Sequence, residues 1–439
     1  MQTTIPKSGN RFSEKIVVKR ESAMRQTDIL IAGGGLAGST AAAMLGRAGY
    51  GVVLVDPHET YPPDFRAEKI DGMQARILAR TGLADAVLRA ATLDGESWVA
   101  RYGRLVEKRP GDQNGILYDT MVNTVRGEIP PSATFIHGKV MDIATSAQRQ
   151  RVTLATGEEI SARLVIVANG LNVGLRHKLG MARQDVSKTH SIMLGFDLVP
   201  RGHASFPFPA LTWYGERPAD RTAYIALFPI QQTMRANLCV YREMDDPWLR
   251  AFRASPREGL MALMPGLAKI TGAFDVPGTV QIRPADLYMT TGVEQAGVVL
   301  VGDAFATSCP AAGTGTGKVF TDVERLCNVH IPRWFASEGM GADKIAAFYE
   351  DPVKREYDAH SAEKAFHLRS LSVEPGPAWA ARRALRFAAR LAIGTVRDVR
   401  RWLSPERASF SARPPSPITS GTNSSGDPVL GPGFPLARE

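Results

Sequence analysis

Residues 27–56 read Thr-Asp-Ile-Leu-Ile-Ala-Gly-Gly-Gly-Leu-Ala-Gly-Ser-Thr-Ala-Ala-Ala-Met-Leu-Gly-Arg-Ala-Gly-Tyr-Gly-Val-Val-Leu-Val-Asp, and this stretch decides the fold. Ile29 to Ala32 is an uninterrupted apolar run, the pattern of a parallel strand buried on both faces. Gly33, Gly35 and Gly38 then fill the positions of G-x-G-x-x-G. The first glycine permits the tight turn. The second lets the backbone approach a pyrophosphate, and the third lets helix and strand pack closely. Leu36 and Ala37 stand between them, where a helix would begin with its free amides turned to the phosphates. Small and helix-forming residues continue from Ser39 to Arg47. A second apolar strand, Val52 to Val55, ends at Asp56, placed about twenty residues on to accept hydrogen bonds from a ribose. Strand, glycines, helix, strand and acid in this order predict a dinucleotide-binding β-α-β unit.

Composition limits what surrounds that unit. A chain of 439 residues is long enough for two or three packed units, and its 44% hydrophobic and 22% charged content is ordinary for a globular protein. The formal net charge is +9, but no RNA- or DNA-binding motif accompanies it, so no nucleic-acid partner is expected. Cys239, Cys309 and Cys327 are unevenly spaced, which argues for a reducing, cytoplasmic setting and against a disulfide framework or a zinc site. The histidines show no metal-ligand spacing. No run of eighteen apolar residues is present, so no membrane-spanning helix is predicted.

Before the unit, residues 1–24 are polar and basic and read as a flexible extension. After it, Pro57 to Arg66 is a proline-rich loop. On spacing alone, Arg66 reads equally as a neighbour of the cofactor or as a solvated loop arginine. Helical periodicity covers 67–91 and 118–129, and strands cover 96–108 and 133–167, with a hairpin turn at Ala155-Thr156-Gly157-Glu158. These segments complete a first domain part over 25–182. Residues 183–290 change character. Alternating, aromatic-rich strands and a helix over 247–263 predict an inserted domain built on an antiparallel sheet. Trp213, Tyr214, Tyr224, Phe228 and Tyr241 are candidates either for its core or for an apolar pocket, with Trp213, Tyr224 and Phe228 the preferred lining residues.

At 298–303 the run Val-Val-Leu-Val-Gly-Asp returns to a buried parallel strand, with Asp303 at the carboxyl end where α/β sheets place ligands. A loop through Pro310, Gly313, Gly315 and Gly317 then enters a helix expected over 319–327, giving a second part of the first domain over 291–335. Asp303 reads as a ribityl-hydroxyl acceptor or as a helix cap. Cys309 reads as a redox group beside the loop or as a small packing residue. A helical region over 336–410 comes next. Within it, Arg382, Arg383, Arg386, Arg390, Arg397, Arg400 and Arg401 fall in an arc of roughly 100° when each residue turns about 100°. That helix, 377–403, either docks on the protein with a solvated arginine face or lies on an anionic membrane surface as a peripheral contact. The Pro-, Ser- and Gly-rich stretch 411–439 reads as a disordered tail.

Three motifs now stand in order: Gly33-x-Gly35-x-x-Gly38 with Asp56, Asn169-Gly170 with Arg176, and Gly302-Asp303 with Pro310 and its glycine loop. Together they resemble the single-component flavoprotein monooxygenases of the para-hydroxybenzoate hydroxylase type, over about residues 27–330. The resemblance implies a Rossmann-like FAD domain (α/β) with an inserted antiparallel-sheet substrate domain and C-terminal helices. It implies FAD as cofactor, NADH or NADPH as electron donor and O₂ as co-substrate. A flavin hydroperoxide would then hydroxylate or epoxidise a small apolar, aromatic or lipid-like molecule. Gly33, Gly35, Leu36, Ala37, Gly38 and Asp56 would hold the ADP part. Arg66 and Asp303 would stand near the flavin and its ribityl chain, and Pro310, Gly313, Gly315 and Gly317 beside the ring system. The middle motif departs from the family's D-G-x-x-S-x-x-R, with Asn169 for the aspartate and Val173 for the serine. That departure leaves the electron donor open and keeps a reductase of the geranylgeranyl-reductase type as the alternative. The W-x-W-x-I-P signature of flavin halogenases is absent. No catalytic side chain is assigned, and neither substrate identity nor oligomeric state is legible.

Overall fold

The computed structural model describes residues 24–403, with side chains described to residue 397. Residues 1–23 of the extension expected over 1–24, residues 404–410 of the expected helical region and the tail over 411–439 lie outside the described residues. The described residues divide into one compact unit up to Thr395 and a second from Val396.

The apolar runs become a seven-stranded sheet. Arg25–Ala32 lies between Val52–Asp56 and Glu159–Val167, parallel to both, with Ile31 opposite Leu54 and Ile166. Val298–Leu300 adds to the end of Glu159–Val167, and Thr134–His137 to the outer edge of Val52–Asp56. Leu30, Ile31, Leu54, Val165, Ile166 and Val299 are all buried, as a sheet covered on both faces requires. The hairpin turn at 155–158 joins Gln150–Leu154 to Glu159–Val167 in antiparallel pairing.

The second sheet has eight strands, among them Ala182–Pro200, Ala210–Tyr214, Thr222–Ile230, Thr233–Val240 and Gln281–Thr291. Away from its bulges at 185–191, 222–224 and 99–100, its side chains alternate. Ile192, Leu194, Leu211, Trp213, Ile225, Leu227, Ala236 and Leu238 face a core shared with Phe252, Leu260 and Leu267. Met193, Thr212, Tyr214, Tyr224, Ala226, Asn237 and Cys239 face a large cavity instead.

Several expectations are corrected. Glu96–Arg101 and Arg104–Pro110 do not extend the first domain but join the second sheet, through parallel pairing of Ser97 with Ala210. The helix over 67–91 is two helices, Gly72–Ala79 and Ala84–Ala90. Asp71 and Gln74 form a capping box at the first, and Gly82 breaks the chain at φ +72. The helix over 247–263 is likewise broken, at Ser255-Pro256. The glycine-loop helix begins earlier than expected and runs Gly315–Arg325.

The terminal helix, Pro377–Leu403, forms as predicted but with another orientation. Arg383, Phe387 and Arg390 are half-buried and Gly394 is buried against the protein, whereas Leu385 is 72% exposed. The close approach is fixed at Gly394, where a Cβ would stand 2.1 Å from the Val106 carbonyl oxygen. Part of the arginine arc therefore faces inward, and an apolar face looks out. No helix among the described residues is long and apolar enough to cross a membrane.

Candidate active site

Two cavities meet between the sheets. The first, about 370 Å³, is lined by Gly33, Gly35, Leu36, Ala37, Asp56, Asn169 and Gly170. The second, about 720 Å³, is lined by Pro310, Gly313, Gly315 and the cavity-facing side chains of the second sheet, a size ordinary for a small-molecule site. Leu36, Arg66, Tyr118, Asp303 and Val319 line both.

The first cavity is shaped for a dinucleotide. Gly33 has φ +108, and the turn it makes brings its carbonyl oxygen within 1.8 Å of where a Cβ on Gly38 would sit. Gly38 therefore serves helix–strand packing and lines neither cavity. Gly35 starts the Leu36–Arg47 helix without a side-chain cap and with no acid in the first turn, leaving its amides available to an anion. Asp56 is buried and accepts from the Gly34 amide (2.6 Å) and the His58 amide (2.9 Å). Arg126, unremarked in the sequence, sits 3.1 Å from the same carboxylate and ties down the Gly34 and His58 carbonyls. Asn169 Oδ1 is buried with no partner among the described residues, an acceptor pointing to a missing donor at this wall.

At the junction, Arg66 forks between Asp64 (2.5 Å) and Asp303 (2.9 Å). The Asp303 carbonyl accepts from the Tyr288 hydroxyl at 2.7 Å, so this acid is held from both ends. The flanking residues carry the second sheet. Arg283 pairs with Asp64, and Arg235 makes a bidentate pair with buried Glu68 at 2.8 and 2.9 Å. Segment 64–69 is thus a charged hinge pin between the two halves. Neighbouring Lys69 is half-buried, donates to Gln113 at 2.8 Å, and has its pKa pulled below the ordinary lysine value by desolvation.

The remaining site expectations divide by position. Tyr224 lines the second cavity and donates to the Ala311 carbonyl at 2.8 Å, bracing the glycine loop. Trp213 does not line it. It is fully buried on the opposite face of its strand. Phe228 is buried beneath Lys69 and stands outside the lining, and Tyr241 is buried beside His190. Gly317 also stands back from both cavities, because the space its Cβ would take is filled by the Tyr357 hydroxyl at 1.9 Å. Arg176 is buried and donates to the Ala304 carbonyl (2.9 Å) and Thr290 (3.0 Å), so it staples the middle motif rather than facing a ligand. Cys309 packs against Ser191 Oγ at 3.4 Å, and burial pushes its thiol pKa up, which favours the neutral packing residue. Among the described residues no cluster of His, Cys, Asp and Glu is arranged to hold a metal.

The donor set suits FAD. The first cavity offers glycine amides, a buried acid and an unsatisfied amide oxygen to an ADP moiety. The Arg66–Asp303 junction offers an acceptor where a ribityl chain would pass, and the Pro310–Gly315 loop borders the second cavity. Comparison with known proteins agrees. The family described as FAD binding domain matches residues 26–123. The 3-demethoxyubiquinol 3-hydroxylase of Escherichia coli (strain K12) is 26% identical over 327 residues, covering 69% of this chain and 79% of that one. The fold is shared with p-nitrophenol 4-monooxygenase PnpA from Pseudomonas putida DLL-E4, at TM-score 0.67 and 19% identity over 87% of this chain and 97% of that one. It is shared too with P. aeruginosa PqsL in complex with 2-aminobenzoylacetate, at TM-score 0.59 and 19% identity over 79% and 97% of the two chains. Residues 26–123 thus belong to an FAD binding domain, and the chain as a whole is similar to FAD-dependent flavoprotein monooxygenases.

Proposed function

We propose that the second cavity receives an apolar, ring-bearing small molecule for hydroxylation, with NADH or NADPH as electron donor and O₂ as co-substrate. The observation that carries this reading is the continuity of the two cavities across the Arg66–Asp303 pair. FAD, when bound, supplies the redox chemistry, and the protein has to place the substrate and keep water out. Met193, Tyr224 and Ala226 provide the apolar wall, Tyr224 fixes the loop at Ala311, and Glu68 beside them is paired with Arg235. Ser187 Oγ meets His190 Nδ1 at 3.1 Å, but neither residue lines the second cavity, in keeping with chemistry carried by the cofactor. The hydroxylase relative favours oxygenation over the reductase alternative. The test is a spectrum of the purified protein, then NADH or NADPH oxidation with a panel of phenols under ¹⁸O₂. Yellow protein and one labelled oxygen in the product are expected. Protein that stays colourless with added FAD, or turnover that is undiminished without O₂, overturns the reading.

The outward face of the terminal helix supports a peripheral membrane contact within the same proposal. Leu385, Leu391 and Ile393 are 72%, 41% and 48% exposed on a chain of net charge +9. Sedimentation with anionic vesicles is expected to carry the protein down, and Leu385→Glu to leave it in the supernatant. Equal pelleting of the two removes the contact.

A further inference from the structure

Where the terminal helix meets the second sheet, Arg101, Arg383, Arg386 and Arg390 line one small cavity of about 70 Å³. Arg386 and Arg390 also line the second, larger cavity, so the cluster opens onto the proposed substrate site. None of the four is ion-paired among the described residues. Glu216 lines the same small cavity, but its carboxylate already accepts from the Tyr102 amide at 2.8 Å, and Arg217 beside it is paired with Asp220.

The cluster is held open rather than satisfied. Arg101 Nε is buried and has no hydrogen-bond partner among the described residues. Its guanidinium lies 4.8 Å from the Tyr102 ring centroid and 5.9 Å from that of Phe387. Burial, with Arg383 and Arg386 alongside, pulls its pKa below the ordinary arginine value, against the raising effect of Tyr102 and Glu216. Arg383 spends one nitrogen on the Leu371 and Glu374 carbonyls, and Arg386 reaches His367 at 3.2 Å. Arg101, Arg383 and Arg390 are half-buried and Arg386 is exposed, and gathering guanidinium groups at such a seam costs free energy unless an anion joins them. Meanwhile the helix turns its leucines to solvent, the reverse of what burial of apolar surface favours.

The cluster is also linked to the flavin loop. Tyr224 is bonded to the Ala311 carbonyl, the Tyr224 and Tyr214 ring centroids are 6.1 Å apart, and the Arg390 guanidinium lies 4.7 Å from the Tyr214 centroid. A molecule with one ring beside Ala311 can run along these tyrosines and end at the arginines.

We propose that the substrate carries an anionic group, a carboxylate, sulfate or phosphate ester, on an arm remote from the ring that is oxidised, and that Arg101, Arg386 and Arg390 receive it. This rests on the oxygenase reading above and narrows its substrate class to amphipathic aromatic acids. Arg390 orients the arm against Tyr214, and Arg101 supplies the unpaired Nε–H.

The probes are ω-(4-hydroxyphenyl)alkanoic acids of increasing chain length, each against its methyl ester. They are titrated into the FAD-loaded, full-length protein and tracked by the flavin absorbance change. One acid length is expected to bind about 10- to 100-fold more tightly than its ester, the range of a charge-assisted hydrogen bond. The preference should fall as salt rises, vanish in Arg390→Gln and Arg101→Gln, and survive in part in Arg390→Lys. FAD content, measured on each variant, reports whether it has folded. Equal binding of acid and ester in yellow protein overturns the inference, as does a preference that both glutamine variants retain. So does binding of inorganic phosphate or of anionic vesicles that leaves the affinity for the acid unchanged, because the arginines would then serve a different anion. Failure of the oxygenase reading looks different: the protein is colourless before any probe is added.

Discussion

Asp322→Ala is expected to lower the unfolding free energy by about 3–5 kcal/mol, the usual result of leaving buried charges uncompensated. Asp322 and Lys354 are each 1% exposed and Lys318 is 4% exposed. Lys318 Nζ is 3.2 Å from one Asp322 oxygen and 2.8 Å from Asp358. Lys354 Nζ is 3.1 Å from the other Asp322 oxygen and 2.7 Å from Asp358. Removing one carboxylate leaves two ammonium groups facing the half-buried Asp358. The same carboxylate accepts from the Gly302 amide at 3.1 Å, so it also positions the residue before Asp303. Loss of FAD affinity should therefore accompany loss of stability. Asp322→Asn separates the two effects, since its amide oxygen still accepts from Gly302 while the charge is gone. Denaturant melts of the apo protein and fluorescence titration of FAD provide the readouts, and a stability change below about 1 kcal/mol would contradict the argument.

The same network sets an acid limit. Burial alone would raise the Asp358 pKa, but the two lysines outweigh it and hold it below the ordinary value. A carboxylate whose folded pKa is depressed contributes stability that is present above its unfolded pKa of about 3.9 and lost as pH falls toward the folded value. Asp351 behaves alike. Burial opposes, but Arg325, His330 and the Lys354 amide lower its pKa to about 2. Stability should therefore hold down to about pH 4 with respect to these groups and then decline.

The first half of the fold was legible because its strands are covered on both faces. Runs such as Ile29–Ala32 and Val298–Val301 announce themselves without reference to any partner, and the glycine turn fixes where the first helix starts and which strand it packs on. The illegible part depends on distant pairing. The stretch 96–108 reads as strands, but its sheet is decided by residues 210–213, more than a hundred positions away. Trp213 was a natural pocket candidate by chemistry. Alternation gives the cavity to Tyr214 instead, and a shift of one residue reverses every side chain. The pairs Lys318–Asp322 and Lys354–Asp358 each have helical i, i+4 spacing, but their meeting across two helices is a tertiary fact. Arg126 carries no local signal at all. Its neighbours Gly34, Asp56 and His58 come from the other end of the unit.

Gly38→Ala and Gly35→Ala should fail in different ways, although both belong to one motif. A Cβ on Gly38 would stand 1.8 Å from the Gly33 carbonyl oxygen and 3.2 Å from the Ala168 side chain. The first is backbone that the parallel strands hold in register, so it cannot yield as a flexible side-chain tip would. The Leu36–Arg47 helix must then lift from the sheet, and insoluble or largely unfolded protein is the expected result. A Cβ on Gly35 meets only the Tyr61 ring, at 3.9 Å, and Gly35 has φ −72, which alanine adopts freely. That variant should therefore melt within about 1 kcal/mol of the parent in the apo form. Its methyl group instead occupies the approach to the helix amides, the space a pyrophosphate needs. FAD affinity should fall by about 100-fold or more, equivalent to roughly 3 kcal/mol, with the circular dichroism spectrum unchanged. Soluble Gly38→Ala protein that binds FAD normally would show that the turn is not packed as described. A Gly35→Ala protein that binds FAD as tightly as the parent would show that the pyrophosphate lies elsewhere.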